Sequence, residues 1–113
     1  MNELVKLVEI WAMDKNLDAV DPRGQFLKAS EEFGEVAAAM ARNDRDALQD
    51  GIGDTVVTLI ILAMQHGMSI EDCLQTAYDE IKGRKGQMVN GIFVKHADIG
   101  RAVADADERK MWG

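Results

Sequence analysis

Apolar positions recur at steps of three and four along most of the chain, the period of a helix with one face turned away from water. Leu4, Leu7, Val8, Trp11 and Ala12 trace the first such face and predict an amphipathic helix from about Asn2 to Asp14. After a polar stretch, Asp21-Pro22 reads as the cap and first residue of a second helix. Proline fits there because the N–H it lacks would have no helical partner anyway. This second helix runs to about Arg42 and turns alanine-rich near its end. Asn43-Asp44 predicts a short turn, with Asp44 capping a third helix that reaches about Gln65. Gly67 is placed to end that helix in the left-handed conformation. Ser69, followed three residues later by Asp72, predicts a capping box opening a fourth helix from Ile70 to about Lys82. Short connections make helices two, three and four antiparallel neighbours. The predicted fold class is all-α, an antiparallel bundle of four to five helices.

The pattern changes after Lys82. Gly83, Gly86 and Gly91 interrupt it, Arg84, Lys85 and Lys95 bring positive charge, and Gly91-Ile92-Phe93-Val94 reads as a short extended piece. From His96 to Gly113 the periodicity is weak and the charge heavy, which predicts a loose helix or a tail. The chain thus divides into a helical domain over 1–95 and a charged segment over 96–113. Its 113 residues, 47% apolar, suffice for one hydrophobic core and exclude disorder over most of the length. A single cysteine, Cys73, excludes an intrachain disulfide and suits a reducing cytoplasm. Glu3, Lys6 and Glu9 break any apolar leader, and the run from Thr55 to Met64 is about half a bilayer span. Both point to a cytoplasmic location and no membrane. A net charge of −7 argues against binding a nucleic acid polymer, since that affinity comes from Lys and Arg neutralising phosphates.

Candidate chemistry lies in the acids. Glu31, Glu32 and Glu35 fall on the second helix, Asp50 and Asp54 on the third, and antiparallel packing would bring the two groups into one small volume. Carboxylates so close repel one another, and a cation is the simplest thing to neutralise them. Hard oxygen ligands suit magnesium or manganese better than zinc. The competing reading is a solvated acidic face. Against it, Asp54 opens a segment, Val56 to Leu62, that only a covered helix tolerates.

In this order and spacing, Glu31-Glu32-Phe33-Gly34-Glu35 followed by Gly53-Asp54-Thr55-Val56-Val57 resembles the MazG-like nucleoside triphosphate pyrophosphohydrolases, whose signature is EExxE, a spacer and ExxD on two helices. Trp11, Gln25, Lys28, Arg84-Lys85-Gly86 and Asn90-Gly91 extend the likeness over about residues 1–95. The resemblance implies magnesium-dependent hydrolysis of a ribo- or deoxyribonucleoside triphosphate to the monophosphate and pyrophosphate, a nucleotide-pool housecleaning activity, with manganese a possible substitute. Glu32, Glu35 and Asp54 would hold the metal, with Asp50 or a water completing its shell. Glu31 would contact a second ion or orient the attacking water, so that Glu31, Glu32 and Glu35 form the catalytic set. Gln25, Lys28, Lys82, Arg84, Lys85, Asn90 and Lys95 are the candidate substrate contacts.

One position departs from the signature. Where the family usually carries glutamate, three residues before Asp54, this chain has Gly51; Asp50 stands next to it and projects near Asp54 as an i, i+4 neighbour. Two alternatives accompany the reading: a phosphoribosyl-ATP pyrophosphohydrolase-like enzyme, and a non-catalytic helical module whose site has decayed at Gly51. Ordinary roles also stand beside the functional ones. Lys82, Arg84 and Lys85 suit the negative end of a helix, Trp11 a core or pocket wall, Cys73 a small buried hydrophobe, and His66 a helix end. The second and third helices carry more apolar surface than one short bundle covers, which predicts a twofold homodimer; the resemblance implies a homodimer or a dimer of dimers.

Overall fold

The computed structural model describes residues 2–95; the segment 96–113, expected to be a tail or loose helix, lies outside the described residues. Four helices form where the hydrophobic period places them: α1 over Asn2–Asp14, α2 over Pro22–Ala41, α3 over Arg45–Gln65 and α4 over Ile70–Ile81. The chain is mostly helical, as its pattern predicts. Each cap foreseen from sequence is made. The Asp21 carboxylate accepts from the Arg23 N–H at 2.8 Å, that of Asp44 from Ala47 at 3.1 Å, and the Ser69 hydroxyl from Asp72 at 3.1 Å. Arg23 also clasps Asp21 through its guanidinium, and these bonds hold the Asp21 carboxyl below the usual carboxylate range. Helices α2 and α3 end alike. Asn43 and Gly67 take positive φ, and the N–H one residue on, of Asp44 or Met68, reaches back to Ala39 O or Ala63 O.

The described residues divide into two compact units, the boundary falling between Gln75 and Thr76. In the first, α2 and α3 form an antiparallel hairpin whose interface has a simple origin. Gln25, Ala29, Glu32, Val36 and Ala39 recur at four- and three-residue steps along α2, and all are buried or half-buried. Leu48, Gly51, Thr55 and Thr58 form the matching row on α3. These are mostly small residues, so the two backbones approach closely. A Cβ built at Gly51 would lie 3.2 Å from Val36 Cγ2. The Thr55 and Thr58 hydroxyls donate back into α3, to Gly51 O and Thr55 O, and leave no buried polar atom of their own unbonded.

The far side of α3 buries Ile60, Ile61 and Ala63, and α1 packs against this helix through Val5 and Ala12. A single turn of 3-10 helix at Leu17–Ala19, not foreseen from the pattern, is pinned to α3 by the Gln65 side-chain N–H donating to Leu17 O at 2.9 Å. The rotation of α1 differs from the expected one: Val5 and Ala12 face inward, whereas Leu4, Leu7 and Trp11 are mostly exposed. Trp11 is therefore not a core residue of the single chain. Among the described residues α3 alone is long and apolar enough to cross a membrane, by length and composition only, as many buried core helices also are.

In the second unit, strands β1 (Gly86–Val89) and β2 (Ile92–Lys95) form an antiparallel hairpin, with Val89 opposite Ile92. The extended piece expected at 91–94 is thus half of a ribbon. Asn90 and Gly91, at φ 52° and 77°, make the two-residue turn that needs left-handed backbone at both positions. Gly86 is required by close approach, since a Cβ there would run into the Val94 carbonyl oxygen.

Candidate metal and phosphate site

The α2–α3 hairpin positions the acids. Two contacts fix its register: the Gln25 side-chain N–H donates to Thr58 O at 3.0 Å, and Gly51 abuts Val36. Between these points the antiparallel run carries Glu32 to about the height of Asp54. Further toward the turn, Glu35 and Asp50 line one cleft of about 310 Å³, together with Ala38, Arg42, Ala47 and Gly51. Glu31 is exposed on the outer surface of α2, and Lys28 and Glu35 flank the buried row on its solvent edge. Gln25, expected to touch substrate, spends its amide N–H on α3.

Glu32 is the acid whose environment asks for a ligand. Only 8% of it is exposed, within a row of alanine and valine. One oxygen lies 3.7 Å from Lys28 Nζ, and the other, Oε2, is buried with no hydrogen-bond partner. An unpartnered buried acceptor costs about 1–3 kcal/mol, more when it carries charge, so it needs a compensating donor or cation. A cation at this atom would supply what the protein withholds, and carboxylate oxygens are the ligands magnesium takes. The residues present therefore fit a hard divalent ion. Asp54 is half-buried at about the same height on α3, and Glu35 and Asp50 follow further along the hairpin.

Among the described residues no three His, Cys, Asp or Glu side chains converge closely enough to hold an ion between them. Magnesium in any case takes only one or two protein carboxylates in many phosphate sites, with waters and substrate oxygens filling the rest.

The basic candidates divide between the two units. Lys28 belongs to the first, beside Glu32. In the second, Lys82 pairs with Asp79 at 3.1 Å and lies over the Tyr78 ring, and Arg84 pairs with Glu80 at 3.2 Å. Both serve the end of α4 in the way their sequence position also suggested. Lys85 precedes the ribbon, Lys95 ends its second strand, and Asn90 sits in its turn, where backbone conformation already accounts for it. Arg42, which spacing from the signature did not bring forward, stands on the Glu35–Asp50 cleft; its position seven residues after Glu35, two helical turns along the same face, was the available signal.

An all-α hairpin with opposed carboxylates on small-residue seams defines the class; comparison with known proteins makes it specific. The profile of the MazG nucleotide pyrophosphohydrolase domain matches residues 25–89, which span both acidic helices, α4 and β1, and the chain belongs to that family. A protein of Haemophilus phage HP1 (strain HP1c1), described as an uncharacterized 18.2 kDa protein in the rep-hol intergenic region, is 43% identical over 67 residues. The match covers 58% of this chain and 41% of the phage protein, so the chain spans less than half of that relative. No solved structure matches the chain.

Proposed function

We propose that the protein hydrolyses a ribo- or deoxyribonucleoside triphosphate to the monophosphate and pyrophosphate with magnesium, manganese being able to substitute, as a nucleotide-pool housecleaning enzyme. The observation that carries the proposal is the buried, unpartnered Oε2 of Glu32 on a hairpin that also presents Asp54, Glu35 and Asp50, in a member of the MazG family. Bound magnesium would neutralise these carboxylates and supply Lewis-acid chemistry for phosphate hydrolysis. Glu32 and Asp54 hold the ion in the seam, and Glu35 and Asp50 extend the ligand set along the cleft. Glu31, exposed on the next face of α2, orients the attacking water. Lys28 supports substrate phosphate, and Lys82, Arg84, Lys85, Asn90 and Lys95 are proposed as further contacts on charge and hydrogen-bonding chemistry. The working unit is a homodimer or a dimer of dimers.

The test is a screen of ribo- and deoxyribonucleoside triphosphates and phosphoribosyl-ATP with magnesium, reading monophosphate and pyrophosphate, with Glu35→Gln in parallel. Release of pyrophosphate that Glu35→Gln abolishes, with its helical spectrum intact, is the expected result. Orthophosphate and a diphosphate as products would place the cleavage at another bond. Turnover of phosphoribosyl-ATP alone would assign the neighbouring enzyme class. Absence of both hydrolysis and magnesium-dependent stabilisation would leave a non-catalytic module.

A further inference from the structure

The cleft between the end of α2 and the start of α3 holds a third charged group besides Glu35 and Asp50. Arg42 lines the same space of about 310 Å³, at the small end of the roughly 300–1,000 Å³ typical of ligand pockets. Its backbone N–H closes α2 by donating to Ala38 O, but among the described residues no ion pair or hydrogen bond engages its guanidinium. A cation beside two carboxylates that bonds to neither is available to an outside anion.

We propose that Arg42 binds the phosphate oxygens that become the pyrophosphate product; the assignment rests on the pyrophosphohydrolase reading above. The charge arrangement supports it. Of the residues that line the cleft, Glu35 and Asp50 are acidic and Arg42 alone is positive, so Arg42 is the group there that attracts an anion directly. A guanidinium offers five N–H donors in a planar fork that matches a phosphate edge with two parallel bonds. Its place two turns after Glu35 on one helix face fixes the spacing between metal ligand and phosphate donor. A residue serving only the negative end of α2 would need a positive charge but no shared cleft with the acids.

The experiment uses Arg42→Gln and Arg42→Lys in the full chain, with inorganic pyrophosphate as probe. Magnesium binding without nucleotide, inhibition by magnesium pyrophosphate, and the KM and kcat for the best triphosphate are measured for each. Arg42→Gln is expected to weaken pyrophosphate inhibition and raise KM at least tenfold, with magnesium binding and melting temperature near the parent's. Arg42→Lys is expected to recover part of both losses, as a point charge without the fork. Parent-like pyrophosphate inhibition and KM in Arg42→Gln would overturn the assignment and leave the residue a helix-end charge. Loss of magnesium binding in both variants would also overturn it, by making Arg42 part of the metal site's support. A parent protein that binds neither magnesium nor pyrophosphate would bring down the functional reading itself, a result distinct from failure of the Arg42 variants alone.

Discussion

Glu32 sets the terms at the scale of single residues. Its carboxylate lies in a seam of small apolar side chains, one oxygen near Lys28 and the other unbonded. If that oxygen waits for a cation, Glu32→Gln should cost the metal-free protein little, within about 1 kcal/mol, because a desolvated charge leaves with the lost ion pair. The parent should gain about 2.7 kcal/mol at a magnesium concentration 100 times Kd, and the variant should gain none. Chemical denaturation with and without magnesium checks this, and equal magnesium-induced stabilisation in both proteins would remove Glu32 from the ligand set. The spacing of the acids put them on two facing helices; their unequal depth was not readable. Glu31, Glu32 and Glu35 are one residue type at neighbouring positions, and only the row Ala29, Val36 and Ala39, read together with the small residues of α3, shows which of them enters the seam. The place of Arg42 on the Glu35–Asp50 cleft escaped the sequence reading for a similar reason, since a basic residue at a helix end has an ordinary explanation.

Among the elements, helix limits were legible because caps are local chemistry. Asp21, Asp44 and Ser69 each bond the N–H they were placed to receive, and Gly67 ends α3 as left-handed backbone requires. The ribbon was half legible. Asn90-Gly91 is a strong two-residue turn signal, but Arg84 to Met88 has no alternating pattern to mark β1. The rotation of α1 was misleading, since its larger apolar residues lie on the face turned outward and its inward face is Val5 and Ala12. Gly51 shows how packing limits a repair that spacing invites. Restoring the family's acid with Gly51→Glu would remove a helical glycine, worth on the order of 1 kcal/mol, but its Cβ would press on Val36 at 3.2 Å. Val36 is β-branched and nearly fixed in one rotamer within a helix, so it yields poorly. Overpacking of this kind costs about 1–3 kcal/mol, to which a buried charge adds. Gly51→Glu is therefore expected to lower stability and to leave Asp50→Asn unrescued. Thermal melts and turnover of the double variant check this, and recovered activity would show that α2 and α3 can separate at this level.

For the molecule as a whole, the decisive fact is how little one chain covers. Among the described residues the buried hydrophobic ones are Val5, Ala12, Ala29, Ala39, Ile60, Ile61 and Ala63, and no large side chain is fully enclosed. The larger apolar residues face outward in regular rows. Phe26, Phe33 and Met40 stand at seven-residue intervals on α2, each about 60% exposed, with Ser30 and Ala37 filling the steps between them. Leu4, Leu7 and Trp11 repeat the spacing on α1, Ile52 and Val56 on α3, and Leu74, Tyr78 and Ile81 on α4. Steps of three and four along an exposed face form the seam that packs helix on helix, and soluble monomers rarely leave such rows bare. The row on α2 lies about 100° around the helix from the one that meets α3, so a second copy can dock there without disturbing the hairpin that carries the acids. Phe26→Glu, at one end of this row and apart from the proposed ligands, is expected to shift the protein from dimer to monomer at micromolar concentration and to lower its melting temperature. A charged residue brought into an apolar seam loses its hydration without gaining a partner, whereas in a monomer it would rest in water. Sedimentation equilibrium across a concentration series, on parent and variant, measures the shift. A parent that sediments as a compact monomer, or a variant that stays dimeric with an unchanged dissociation constant, would take the partner off this face of α2.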